Sequence, residues 1–208
     1  MKKEKTRLEL RKEAFKKMEE MHPHMILLYV SMIGSAVIFL FTIVAFTISR
    51  PEAANFLKIE FPKSFIVSSF LILYSSYTVT KVIPAFEKDD LDELKKWLGY
   101  TFFLGLIFSA AQLTGWRELQ SHNILFTGDR SGAYLYVISG LHVMHMVGII
   151  GYIGYLLLEC HKTSKDVVKH LVYSTSPYQK IKFRMLVHAW HFVDVAWIVL
   201  FFYFLFSF

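Results

Sequence analysis

Apolar residues run in five long, nearly uninterrupted stretches along the chain, over residues 25–48, 64–84, 97–119, 132–158 and 184–208. About twenty such residues in a helix rise roughly 30 Å, the thickness of a bilayer's hydrocarbon core. The buried core of a soluble domain explains one run of that length. Five of them in 208 residues predict an all-α, polytopic membrane protein, a bundle of five transmembrane helices. No internal repeat, low-complexity tract or soluble domain interrupts the pattern, and the longest connection, 159–183, reads as short and polar. The expected division is a charged segment over 1–21 and a five-helix domain over 22–208.

Charge gives the spans a direction. The net charge of +6 has its home in the loops, which removes the reason to expect a nucleic-acid partner. Of 23 Lys and Arg, eight precede the first span and three, four, two and six follow in successive connections. One side of the membrane therefore holds 18 and the other 5. By the positive-inside rule the N-terminus is expected in the cytoplasm and the C-terminus outside. The first twenty residues contain no apolar core of a cleavable signal, so none is expected. Leu10, Ala14, Met18 and Met21 recur at helical spacing, which fits a short cytoplasmic helix on the membrane surface; the same composition fits a charged tail. Cys160 is the only cysteine, which excludes an intrachain disulfide and a thiolate metal cluster within the chain.

The polar residues inside the spans are the candidates for chemistry. The second span carries Ser64, Ser68, Ser69, Ser75, Ser76, Thr78 and Thr80, residues that suit close helix packing or, alternatively, an ion path. Pro84 is expected to end that span, a charged turn to fill 87–96, and Trp97 and Trp116 to bracket the third span at the two interfaces. Gly140, Gly148 and Gly151 fall within about 80° of one another on a helical wheel, predicting a face of close helix contact, with His142 and His145 turned away from it. The last span holds His188, His191 and Asp194 at steps of three, with Trp190 and Trp197 beside them. Asp194 lies about ten residues into an apolar helix, where a carboxyl must be protonated, paired or turned to a polar cavity, and His191 is its nearest partner. It reads as a packing latch or a proton-handling site, the latter in a small transporter. Four intramembrane His raise a b-type haem, although the pairs sit three residues apart on one helix instead of some four turns apart. His22 and His24 flank Pro23 at the start of the first span, where imidazoles meet water and headgroups.

Residues 139–148, Ser-Gly-Leu-His-Val-Met-His-Met-Val-Gly, resemble the Thr-Gly-x-His-x-x-His-Val-x-x-Gly segment of subunit III of haem–copper oxidases. Residues 189–197, Ala-Trp-His-Phe-Val-Asp-Val-Ala-Trp, are similar to that family's Tyr-Trp-His-Phe-Val-Asp-Val-Val-Trp. Residues 75–80 resemble its Ser-Ser-x-Thr segment, and 94–112, with Trp97, Gly105 and Gln112, its next helix. The resemblance runs from about residue 22 to the C-terminus and is to the five-helix bacterial type. It implies an accessory subunit in the bacterial inner membrane, flanking the catalytic subunit I and other oxidase subunits. Such a subunit holds phospholipid and supports proton uptake; it has no redox centre of its own, haem and copper lying in its partners. With hydrogen-bonded helix packing then the main reading of the imidazoles, His142, His145, His191 and Asp194 are expected to form a polar core with Trp190 and Trp197 packed around it, and the stripe of Gly140, Gly148 and Gly151 a helix contact. Two of the family's usual Glu are absent: Met32 and Gly115 stand in their places, with Glu118 one turn beyond the second. That departure keeps open the related five-helix proteins associated with nitric oxide reductase.

Overall fold

The computed structural model describes residues 22–49, 62–127 and 130–207. The 1–21 segment, with its expected interfacial helix, lies outside them. The described residues form α1 (Pro23–Ile48), α2 (Lys63–Thr80), α3 (Val82–Glu87), α4 (Leu91–Ser121), α5 (Arg130–Thr163), α6 (Val167–Thr175) and α7 (Pro177–Ser207). Five units are long and apolar enough to cross a membrane: α1, α2 continued by α3, α4, α5 and α7. The described residues are all-helical, with no strand among them, and the chain is a multi-pass membrane protein.

Helices outrun their apolar stretches because local hydrogen bonds, not hydropathy, decide where they stop. α4 begins six residues before the predicted 97 because Asp90 caps it, its carboxylate accepting from the amides of Asp92 (3.1 Å) and Glu93 (2.8 Å). α7 likewise begins at Pro177 instead of 184, a proline suiting the first helical position. Pro84 does not end the second span. The break falls at Lys81, and Pro84 is the third residue of α3, where its missing amide costs no helical bond. The charged turn shrinks to residues 88–90, with Asp89 at φ 59°.

The connection at 159–183 is not a plain polar loop, since it contains α6. Asp166 caps that helix, accepting from the amides of Val168 (3.0 Å) and Lys169 (3.3 Å). The Lys169 amide, and with it that of Val168, holds the Asp166 carboxyl below the usual carboxylate range. Tyr173 turns inward from α6 against Phe86 and Phe183, and burial there pushes its hydroxyl up.

α2 lies along α4 and α7, and α5 packs against α4 and α7, so these four helices share one core. α1 rests on the outside of α5 and α7, with only Phe39 and Phe46 buried. Two glycines of α4 set the closest approaches. A Cβ at Gly105 would stand 2.8 Å from Cη2 of Trp190 and 3.0 Å from Ile150, and one at Gly115 would overlap the ring of Phe65. Both rings are fully buried and have no room to retreat. Gly115→Ala is therefore expected to lower the stability of the detergent-solubilised chain by about 1–3 kcal/mol, read by thermal unfolding. Gly34→Ala, where no atom lies within 4 Å of the added methyl, is the matched control and is expected to leave the midpoint unchanged.

Candidate functional site

The buried residues of α2 recur at 65, 68/69, 72, 75 and 78/79, so that Ser68, Ser69, Ser75 and Thr78 alternate with Phe65, Ile72 and Val79 along one stripe. Three of its serines repeat one unit. Ser68, Ser69 and Ser75 each donate their hydroxyl proton to a carbonyl of the preceding turn, at 2.9, 2.8 and 2.7 Å. Each then accepts from another helix: Ser68 from the amide of Gln112 (2.9 Å), Ser69 from the indole of Trp197 (3.0 Å) and Ser75 from the indole of Trp190 (3.1 Å). Ser139 of α5 does the same, donating to the Leu135 carbonyl and accepting from the Trp116 indole at 3.0 Å. Trp116 is thus turned to α5 as well as sitting near the span's end, while Trp97 donates to Glu93 at 3.2 Å.

The four expected core residues do not meet as one cluster. His145 donates Nδ1–H to the Leu141 carbonyl (2.8 Å), which can only accept, so its Nε2 carries a lone pair for the Ser35 hydroxyl of α1 at 3.0 Å. His191 reaches the other way, its Nδ1 lying 2.9 Å from the Ser76 hydroxyl of α2. Asp194 is buried beside it, with Oδ2 at 3.8 Å from that same Nδ1, an ion-pair distance longer than a hydrogen bond. Both Asp194 oxygens and both ring nitrogens of His142 lack a hydrogen-bond partner among the described residues. His142 is enclosed by Trp197, Phe108 and Phe39, at ring separations of 5.2, 5.7 and 6.3 Å. His145 of α5 and His191 of α7 therefore bond to different helices, α1 and α2. No group of three or more metal-capable side chains occurs among the described residues.

Trp190 and Trp197 are fully buried between α2, α4 and α7, each tied to a serine. The predicted glycine face divides. A Cβ at Gly140 would meet the Trp116 ring at 3.8 Å, but one at Gly148 or Gly151 would meet nothing within 4 Å, so no described residue packs closely on those two. Gly151 instead floors an outward groove of about 780 Å³ between α4 and α5, lined also by Lys95, Phe102, Gly154, Tyr155 and His161. Met32 is half-buried on α1. Glu118 faces the start of α2, accepting from the Ser64 hydroxyl and from the Ser64 amide at 3.4 Å; there it meets the positive end of the helix dipole. Gln112, Ser35 and Ser139 were not foreseen as partners, since each bond joins residues 23 to 110 positions apart.

No family model matches the chain. A protein of Mycobacterium tuberculosis named "Probable cytochrome c oxidase subunit 3" is 29% identical over 133 residues, covering 64% of this chain and 61% of that protein. A Synechocystis "Cytochrome c oxidase subunit 3" is 29% identical over 177 residues, covering 82% of this chain and 70% of its own length. The chain is a homologue of these subunit 3 proteins. A subunit 3 of the cytochrome bo(3) ubiquinol oxidase of Buchnera aphidicola is 31% identical over 140 residues, 65% of each chain. The chain spans about 61% of the length of the mycobacterial subunit 3 it matches.

The serine units and the open glycines give opposite expectations. Ser69→Ala and Ser75→Ala each strand a buried indole N–H and are expected to cost about 1 kcal/mol apiece in thermal unfolding. Gly148→Ala is expected to move the isolated chain's stability by no more than about 0.5 kcal/mol.

Proposed function

We propose that the chain is the accessory subunit III of a bacterial respiratory haem–copper oxidase, a multi-pass protein of the plasma membrane with its N-terminus in the cytoplasm and its C-terminus outside. It docks on the catalytic subunit I and its companions, which carry the haem and copper and reduce oxygen to water with proton translocation. Its own part is to stabilise that subunit, hold phospholipid and support proton entry, without a redox centre. The observation that carries this reading is the similarity to subunit 3 proteins over as much as 82% of the chain. The interior supports it, because its hydroxyls and indoles are engaged with one another in joining helices. The groove between α4 and α5, apolar along its walls with Lys95 and His161 among its lining, has the form that an acyl chain and headgroup would fill.

Purifying the native complex through this chain and identifying its companions by mass spectrometry tests the proposal. A haem–copper catalytic subunit is the expected companion; its absence would overturn the reading, and nitric oxide reductase subunits in its place would favour the related alternative. Asp194→Asn is expected to leave the initial rate of oxygen consumption close to that of the unaltered complex while shortening the enzyme's active life. A substrate-dependent proton flux by the chain alone in liposomes, lost in that variant, would instead make it a transporter.

A further inference from the structure

The outward faces of the bundle are apolar, as lipid requires: Phe70 of α2, Phe103 and Ile107 of α4, Met144 and Val147 of α5. One face departs from this. On α7, His188, His191, Val195, Val199, Phe202 and Phe206 fall in a stripe about 80° wide at 100° per residue. Val195, Val199, Phe202 and Phe206 are 48–84% exposed, His188 is exposed, and the His191 side chain keeps 38% of its surface. The stripe lies between two other helices. Tyr29 of α1 stands edge-on to His188 at 5.8 Å, and Ser76 of α2 bonds His191.

The apolar run of α7 extends from Met185 to Phe206, and His188 and His191 lie roughly 5 and 9 Å inside its start. His188 donates Nδ1–H to the Arg184 carbonyl at 2.7 Å, so its Nε2 is a bare lone pair. The Nε2 of His191 has no partner among the described residues either. Acyl chains offer nothing to bond an imidazole nitrogen, and ionisable side chains at this depth face protein or a polar cavity.

We infer that the α1–α7–α2 face seats a transmembrane helix of a companion subunit, one that brings a hydroxyl or amide donor to Nε2 of His188. This rests on the reading of the chain as an oxidase subunit for the identity of that companion. Photo-crosslinking residues placed singly at Val195, Val199 and, as the outer control, Val147, in the whole complex in its native membrane, test it. Products from Val195 and Val199 are expected to join a transmembrane segment of an oxidase subunit, and those from Val147 to join lipid. Lipid adducts alone from the stripe, or protein products from Val147 only, would overturn the inference. A stripe product with a subunit of a different enzyme would keep the face and overturn the oxidase reading; an oxidase subunit joined at Val147 alone would do the reverse. His188→Leu is expected to lower the companion recovered with the tagged chain about threefold or more, and His188→Gln, whose amide oxygen still accepts, to restore it. Equal recovery with all three side chains would also count against the inference.

Discussion

A hydroxyl that spends its proton on its own helix can only accept from its neighbour, and the bundle is organised around that limitation. Inside hydrocarbon a serine satisfies its proton most cheaply by bonding the carbonyl three or four residues back. What then projects toward the next helix is a pair of lone pairs, so the facing residue must be a donor with no proton to receive. Indole and amide N–H groups fit that description. Ser69 and Ser75 face Trp197 and Trp190, Ser68 faces the Gln112 amide, and Ser139 faces Trp116. The same bookkeeping explains Thr47, which donates to the Ile43 carbonyl and receives the Tyr203 hydroxyl at 2.6 Å. An acceptor at any of those tryptophan positions would leave two lone pairs in contact. The tryptophans are therefore specified by the serines as much as by volume.

This division of labour separates the polar residues that hold helices together from those that remain open. Ser76 makes no bond to its own turn and so has its proton available for His191. Ser35 likewise gives its proton to His145. Asp194, His142 and the Gln112 carbonyl oxygen are the buried groups of the four-helix core left without partners among the described residues. One helix thus anchors the core on one side and presents polarity on the other, which is the character expected of an element that joins one subunit to the next.

The five spans and their order were legible because lipid contact imposes a hydropathy that nothing else in the chain mimics. The neighbourhood of His191 and Asp194 was legible too, since three residues on a helix are always close. The helix ends were not, because hydropathy records what touches lipid and is blind to caps such as Asp90. α6 escaped notice for a related reason. Its nine residues place Tyr173 inward and leave Val168, Leu171 and Val172 exposed, a pattern too short to separate from a mixed loop. The glycines show the limit most clearly. A helical wheel identifies a shared face but not what lies opposite, so Gly148 and Gly151 read as contacts, while Gly105 and Gly115, spaced without a motif, set the closest approaches. The serine–tryptophan bonds span 23 to 128 residues and leave no local trace.

α1 shows why such bonds matter beyond stability. Its mean hydropathy of 2.4 exceeds that of the other spans, so lipid alone keeps it in the membrane, and lipid alone gives it no reason to adopt one rotation over another. Its position comes from a few directional contacts: Ser35 with His145, Thr47 with Tyr203, and the rings of Phe39 and Phe46 set against His142, His145 and Phe204. The His145 tautomer is fixed by the Leu141 carbonyl, so its lone pair always faces α1. The last turns of α1 are held through α7, at Tyr203. α1 and α2 therefore take their places from the same helix on either side of its open stripe, and anything that rotates α7 moves both walls of that face together.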